Sequence, residues 1–302
     1  MPKQKTISTH KPVLLKEVLD CLAPEPGDSY LDLTAGYGGH ARAVINAAGA
    51  SAKAVLVDRD SDAVAALASE FTSAEIVHDS FLSTLERLAG EGRTFDLILA
   101  DLGVSSPHLE QGERGFSFRQ SGPLDMRMDE RQSLSAQQIV NDYSEEELAQ
   151  VLKDYGEEPR AGLIARAIAQ KRPIENTWQL AEVIENAAGW RAKHAKTHPA
   201  TRSFQAIRIA VNDEINQLRK ALPLMLDILV PGGRLAVISF HSLEDRLVKQ
   251  FLAEHSGNRY DAALRLLTKK PITASHEELV SNPRARSARL RAASKIKTNR
   301  KG

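Results

Sequence analysis

The first third of the chain carries the stretch Leu31-Asp32-Leu33-Thr34-Ala35-Gly36-Tyr37-Gly38-Gly39-His40, which joins a strand-like run to a helix-like segment, 40–48. Gly36, Gly38 and Ala41 fit the G-x-G-x-x-G/A spacing, in which glycines allow close approach of the backbone to a nucleotide. Asp58 ends the next strand-like run, twenty residues after Gly38. A carboxylate at that place can accept hydrogen bonds from ribose hydroxyls. The stretch therefore predicts a parallel sheet that binds a nucleoside-containing molecule at its first loop.

Strands and helices alternate through the rest of the first third. Apolar runs predict strands at Ala54–Asp58, Ala74–His78 and Phe95–Ala100. Periodic segments predict helices at Asp62–Glu70 and Leu82–Ala89, the first of them capped by Ser61. Alternation at this spacing is typical of βαβ units with right-handed crossovers. The fold class predicted is α/β, with a mostly parallel, Rossmann-like sheet.

The pattern changes after this alternation. Residues 107–131 form a long loop rich in Gly, Arg and Asp, and loops of that length are often functional. Helical stripes without strands follow: Leu148, Val151, Leu152 and Tyr155; Leu163, Ile164, Ala167 and Ile168; Leu180, Val183, Ile184 and Ala187. We therefore expect an all-helical domain, 119–200, inserted between two parts of the α/β domain, 1–118 and 201–302.

The last third returns to the α/β pattern. One apolar stripe, from Phe204 to Leu222, predicts a single long helix. The Pro-Gly-Gly turn at 230–233 leads into a fifth strand, and later segments predict one more helix and a final hairpin: strand Arg234–Phe240, helix Glu244–His255, and hairpin segments 263–268 and 286–292.

A second polar loop helps to choose between two nucleoside ligands. The fourth strand leads into Asp101-Leu102-Gly103-Val104-Ser105-Ser106-Pro107. Ligands of open α/β sheets bind at this carboxyl edge. Asp32, before the glycines, suits a cationic amino or sulfonium group better than a pyrophosphate, since like charges repel. The turn 229–235 also resembles that of class I methyltransferases, so S-adenosylmethionine (SAM) is favoured over a nicotinamide dinucleotide.

Charge is balanced overall but unevenly distributed. The net charge is +1, yet residues 281–302 hold eight basic and no acidic residues, and residues 189–211 hold five basic and none acidic. Such stretches indicate contact with a polyanion such as RNA, the alternative for the tail being a solvated, disordered end. Cys21 lies in an apolar segment and is expected in the core. With no signal peptide and no membrane span evident, we expect a cytoplasmic protein without membrane contact.

Several motifs together resemble those of the MraW-type methyltransferases. The matching blocks run almost end to end: residues 10–15, 38–40, 57–60, 101–107, 113–118, 122–129, 198–202, 239–246 and 282–287. The resemblance implies transfer of a methyl group from SAM to the exocyclic N4 amine of a cytidine in 16S rRNA at the decoding centre. It also implies a class I fold with an inserted helical domain, the small ribosomal subunit or its rRNA as partner, and suggests a homodimer. Carried over position by position, it implies a SAM pocket lined by Gly38, Gly39, His40, Asp58, Phe81, Asp101 and His108.

The chemistry of the amine suggests which residues act on it. A cytosine amine is a weak nucleophile, so acceptors that localise its lone pair and take its proton would assist it. We expect the Asp101 carboxylate, or the backbone near Ser105 and Ser106, to do so; Asp101 contacting SAM alone is the alternative. Phe81 is either an adenine-stacking ring or a core residue. His241 either contacts the flipped cytidine or caps the strand end.

Arginines of the long loop and of the two basic stretches are candidates for binding RNA phosphates. The alternative is that they pair with neighbouring carboxylates, which we favour for Arg127 because it lies between Asp125 and Asp129. The candidate set is Arg114, Arg119, Arg131, Arg202 and Arg208, together with Arg284 and Arg286 of the tail.

Three other functions fit parts of the pattern. A SAM-dependent amine methylase acting on DNA or another RNA would use the same pocket. A nicotinamide-linked oxidoreductase would use the same glycine loop. A non-catalytic RNA-binding assembly factor would keep SAM binding without methyl transfer.

Overall fold

The computed structural model describes residues 11–49, 52–104, 112–193, 198–257 and 262–296. It divides the chain into two compact units. The first joins Met1–Gly103 to Asn216–Gly302, and the second is Val104–Ile215. No helix among the described residues is long and apolar enough to cross a membrane.

The first unit is built on a seven-stranded sheet of order β3-β2-β1-β4-β5-β7-β6. Strands β1 to β5 are parallel, and β7 runs antiparallel between β5 and β6. The strand order reverses between β1 and β4, which is where open α/β sheets bind their ligands. The strands are β1 Tyr30–Asp32, β2 Ala54–Asp58, β3 Glu75–His78, β4 Phe95–Asp101, β5 Leu229–Ser239, β6 Leu264–Leu266 and β7 Arg289–Lys295.

Alternate residues of these strands feed two hydrophobic layers, because successive side chains of a strand point to opposite faces. Leu31 and Ile98 belong to one core, whereas Tyr30 and Leu99 belong to the other. Helices cover both faces: α1 Leu15–Leu22, α2 Gly39–Ala48, α3 Ser61–Glu70, α4 Phe81–Gly90, α11 Ser242–Glu254 and α12 His276–Ser281. Cys21 of α1 is buried in the second core, as the sequence predicted.

The second unit is helical. Its elements are α5 Ala136–Asp142, α6 Glu145–Gly156, α7 Ala161–Lys171, α8 Thr177–Lys193 and α9 Ala200–Asn212. Leu148, Leu152, Ile164, Ile168 and Ile184 meet in one core, so the predicted stripes face inward. The exception is Leu163, whose side chain is exposed.

The boundaries of this unit differ from the predicted 119–200. Phe116 on one flank and Phe204 and Ile207 on the other are buried in the same helical core. Both flanks therefore belong to the unit, which the structure extends to 104–215. The loop had no helical period that could reveal this packing.

The predicted single helix across 204–222 is wrong. The chain forms α9 and then α10, Glu214–Ile228, with Asp213 between them in the left-handed conformation at φ 49°. The apolar stripe continues through the break, so periodicity alone could not show it. A smaller correction concerns α3, whose first turn is capped by Asp60 accepting from the Asp62 N–H at 2.8 Å, and not by Ser61.

The C-terminal hairpin is present, and it changes the interpretation of the basic tail. β6 and β7 pair antiparallel, and β7 lies inside the sheet. Lys295 is buried, and its Nζ donates to the carbonyls of Leu226 and Leu229 at 2.6 Å and of Asp227 at 3.2 Å. Arg291 is also buried and pairs with Asp245 at 2.7 Å. Arg291 thus joins β7 to α11, and Lys295 joins β7 to the segment between α10 and β5, roles that neither interpretation of the tail predicted.

Candidate functional site

The glycine loop leaves β1 through two residues in the left-handed region. Gly36 has φ +53° and Gly38 φ +76°, conformations that L side chains rarely adopt. A Cβ at Gly38 would clash with the ring of Phe71, whereas one at Gly36 would meet open space. The loop is tied to β2 because the Ala35 N–H donates to the Val57 carbonyl at 2.9 Å.

Asp58 ends β2 directly beside this loop. Its Oδ2 accepts from the Gly36 N–H at 2.8 Å and its Oδ1 from the Asp60 N–H at 2.9 Å. Burial raises the pKa of Asp58 in spite of these two hydrogen bonds. Each carboxylate oxygen offers about two acceptor positions, so two remain beyond those used by the backbone. Asp58 therefore keeps the capacity to accept from a ribose diol, and ribose binding by it stays a prediction.

Asp32, at the end of β1, is more deeply placed than expected. Its side chain is 1% exposed. It accepts from the Tyr30 hydroxyl at 2.8 Å and from the Thr34 N–H at 3.2 Å. Burial raises the pKa of Asp32 to about 6. Direct contact with a cationic group was expected here, but the carboxyl lies under the loop and can act on a ligand only through its charge.

Asp101 and His40 meet at the end of β4. The His40 Nε2 lies 3.6 Å from the Asp101 Oδ2, and the side chains are 7% and 25% exposed. Among the described residues, neither ring nitrogen of His40 has a hydrogen-bond partner, and no group donates a hydrogen bond to the Asp101 Oδ1. The Asp101 N–H donates to the Thr34 Oγ1 at 2.7 Å, which joins the ends of β4 and β1.

Two of the residues that shape this site were not singled out from the sequence as functional. Tyr30 and Thr34 hold Asp32 and Asp101 in place. A signal for Tyr30 was available, since residues i and i+2 of a strand share a face and Asp32 is two positions later. For Thr34 there was none, because its contact with Asp101 depends on the pairing of distant strands.

Phe81 and His241 both lie in packed surroundings. Phe81 begins α4 and is 6% exposed within the hydrophobic core. The His241 side chain is buried in the cap of α11, where its Nδ1 accepts from the Glu244 N–H at 3.4 Å. In return, the Glu244 carboxylate accepts from the His241 N–H at 3.3 Å. The structure therefore favours the capping alternative for His241 over contact with a cytidine. Because Phe81 is packed in the core, stacking of its ring on an adenine stays a prediction.

The candidate RNA-binding arginines separate into paired and exposed groups. Arg208 makes two hydrogen bonds of 2.8 Å to Glu214, and Arg114 donates to the carbonyls of Arg127 and Met128. Both side chains are only 15% exposed, which favours the structural alternative, and phosphate binding by them stays a prediction. Arg127 pairs with Asp125, as favoured. Arg202 and Arg286 are exposed, and Arg284 is half-buried.

Three predicted residues, Ser105, Ser106 and His108, lie outside the described residues. The structure brings together the other residues of the predicted SAM pocket that flank the switch between β1 and β4. These are the glycine loop, His40, Asp58 and Asp101.

These features define a class of enzyme. A parallel sheet that reverses order beside a glycine loop, with an acidic residue ending β2 and an antiparallel strand β7 beside β5, is the framework of a class I SAM-dependent methyltransferase. The loop and carboxylates fit SAM, because they offer acceptors to a ribose and negative charge to a cationic donor. The Asp101 Oδ1, which has no partner within the described part of the chain, is consistent with a polar ligand at this edge.

The chain belongs to the MraW methylase family, whose model matches residues 7–296. This membership removes the nicotinamide alternative, and the cofactor is SAM. A protein of Nostoc sp. named ribosomal RNA small subunit methyltransferase H is 47% identical over 292 residues, covering 97% of this chain and 94% of the relative. One of Cyanothece sp. with the same name is 50% identical over 287 residues and covers 95% of each chain.

Proposed function

We propose that this enzyme methylates the exocyclic N4 amine of a specific cytidine in 16S rRNA at the decoding centre. The observation that carries the proposal is the near full-length similarity to relatives named for methylation of small-subunit rRNA. The exposed Arg202 and Arg286 are consistent with a polyanionic substrate. We further propose action in the cytoplasm, on free rRNA or on the small ribosomal subunit, by a homodimer.

The residues around the switch point divide the binding of SAM between them. Asp58 would hold the ribose hydroxyls, and the backbone of Gly38 and Gly39 would allow the nucleoside close to the sheet edge. When bound, SAM supplies an electrophilic methyl group on a sulfonium. Asp101 and the more deeply buried Asp32 place negative charge near that cation, which favours binding of a positively charged donor.

Asp101 is also the residue best placed to act on the amine. Its side chain is partly open while its neighbours Asp32 and His40 are buried. By accepting a hydrogen bond from the amine, the carboxylate localises the nitrogen lone pair and then takes the surplus proton. Transfer needs the nitrogen at about 3–3.5 Å from the methyl carbon, in line with the breaking bond. Ser105 and Ser106 stay proposed as further acceptors.

Asp101→Asn tests this role. The substitution keeps the size of the side chain but removes its basicity, so we expect the single-turnover rate to fall about 10²-fold or more. The SAM dissociation constant, measured by calorimetry, should rise far less than the rate falls, because Asp32 still places negative charge near the cation. The matched variant Asp58→Ala should show the opposite, with weakened SAM binding. Lost SAM binding with intact single-turnover chemistry in Asp101→Asn would assign Asp101 to the cofactor alone.

The substrate is tested with rRNA from cells lacking this protein. The purified enzyme and SAM are incubated with naked 16S rRNA, with isolated small subunits and with a DNA of the same sequence. Mass spectrometry of the nucleosides should then find N4-methylated cytidine at one position in an RNA sample. Methylation of the DNA, or of another base, would favour the other amine methylases. SAM binding without any transfer would favour an assembly factor.

A further inference from the structure

His40 is a buried titratable group for which the proposed chemistry has so far given no task. It lies in the first turn of α2, and its side chain is 7% exposed. Neither ring nitrogen has a hydrogen-bond partner in the part of the chain that the structure describes. Burying unpaired polar atoms costs about 1–3 kcal/mol each. Such a cost at the cofactor edge points to a function for the ring.

The position of His40 relative to Asp101 suggests that function. The His40 Nε2 is 3.6 Å from the Asp101 Oδ2, only slightly beyond hydrogen-bond distance. Asp101 is 25% exposed, whereas His40 is almost enclosed. The carboxylate therefore lies between the open sheet edge and the imidazole. A small side-chain rotation would complete a path for a proton from the edge to the ring.

We propose that His40 is the final acceptor of the proton released in methyl transfer, and that it receives this proton through the Asp101 carboxylate. This rests on the proposed amine substrate. The amine lone pair forms the new N–C bond, and the pair of the breaking C–S bond stays on sulfur. The nitrogen then carries one proton too many, which passes to Asp101 and on to the His40 Nε2. His40 therefore acts on the substrate only through Asp101.

Charge balance gives this path a physical reason. Transfer converts a sulfonium cation into a neutral thioether, so the pocket would lose one positive charge beside Asp101 and Asp32. A proton on His40 restores that charge within the same site. Asp101 is returned to its basic form, because the proton does not remain on its oxygen.

The groups facing His40 set its pH dependence. Burial disfavours the imidazolium, but Asp101, Asp32 and Glu278 outweigh it, so the pKa of His40 is raised above its ordinary value. Tyr30 acts indirectly, through its hydrogen bond to Asp32. Only the neutral ring can accept the proton. Transfer should therefore become faster as pH rises through the pKa of His40, and bound SAM, as a cation, should lower that pKa.

The charge linkage can be measured without turnover, by NMR of the histidine rings in the full chain. The His40 signal is identified by its loss in His40→Gln. In the free protein it should titrate above about 6.5. Saturating SAM should lower the midpoint by about one unit or more relative to S-adenosylhomocysteine, which differs by the sulfonium methyl. Equal midpoints with the two ligands would overturn the proposal.

Single-turnover kinetics test the proton path itself. With saturating SAM, the wild-type rate should rise with pH through the His40 midpoint measured in the complex. His40→Gln should be slower by roughly ten- to a hundred-fold and should lose that rising limb. His255→Gln, altered at the far end of α11, should keep it. A rising limb that persists in His40→Gln would refute the role. If that variant does not fold, His40→Asn replaces it both in the kinetics and in identifying the NMR signal.

The two levels of the proposal fail differently. If the enzyme methylates another nucleic acid, the proposed substrate is wrong, but the SAM-dependent shift of His40 is still expected. If N4-methylcytidine is formed and the midpoint of His40 is the same with both ligands, the substrate stands and the proton path is wrong.

Discussion

At the scale of single residues, Gly36 and Gly38 share a positive φ but differ in their surroundings. A Cβ at Gly36 meets open space, so Gly36→Ala carries only the backbone penalty of about 1 kcal/mol. At Gly38 the Cβ would also clash with Phe71, which adds about 1–3 kcal/mol. Urea unfolding should therefore rank Gly38→Ala well below Gly36→Ala in stability. Equal losses would mean that Phe71 gives way without cost.

Asp32 makes stability depend on pH in a direction unusual for a carboxyl. Its pKa in the folded state is about 6, mainly because of burial, against 3.8 ordinarily. The folded protein thus holds a proton that unfolding releases, and stability falls as pH rises from about 4 to 6, by about 3 kcal/mol. Asp32→Asn should flatten this fall in urea titrations. Tyr30→Phe, which removes a hydrogen bond that stabilises the carboxylate, should raise the pKa of Asp32 further and extend the fall to higher pH.

At the scale of elements, the sequence predicts what is local and periodic. Parallel strands β2 to β4 are apolar runs, and most residues of the helical stripes lie in the core, so these elements were predicted within a few residues. β5 was not, because it begins at Leu229 and includes the Pro-Gly-Gly stretch that was predicted as a turn. The break at Asp213 and the capping role of His241 depend on single conformations inside otherwise regular patterns. The partners of Arg208 and Arg291 could not be predicted, because a charge in a basic stretch looks the same whether it is solvated or paired.

Lys295 is the clearest case of a basic residue that serves an element. Its Nζ binds three carbonyls between the end of α10 and the start of β5, about seventy residues away in the chain. Lys295→Met keeps the apolar stem but leaves those carbonyls without their donor, so we expect a loss of about 2–4 kcal/mol. Arg286→Met, at an exposed position of the same basic stretch, should change stability by less than about 0.5 kcal/mol. Equal unfolding midpoints for the two variants would contradict this division.

At the scale of the whole molecule, a net charge of +1 means that RNA affinity must come from local groups. The two basic stretches hold eight and five cations, and if all bound phosphates the slope of log K against log salt would be about −9 for a single strand. Arg208, Arg289, Arg291 and Lys295, however, are engaged within the protein. The other basic residues of these stretches whose side chains the structure describes are Arg202, Arg284 and Arg286, so we expect about three phosphate contacts from the described part and a slope near −2.

Fluorescence anisotropy of a labelled 16S rRNA fragment, over a series of KCl concentrations, measures that slope with the full chain. Arg286→Gln should make it shallower by about 0.7, the share of one phosphate on single-stranded RNA. Arg127→Gln is the matched control, because its guanidinium already pairs with Asp125 and should release no counterion from RNA. A slope of about −6 or steeper would show that the internally paired cations open to bind RNA, or that the basic residues outside the described part of the chain carry most of the contact. An unchanged slope in Arg286→Gln would remove that residue from the RNA-binding surface.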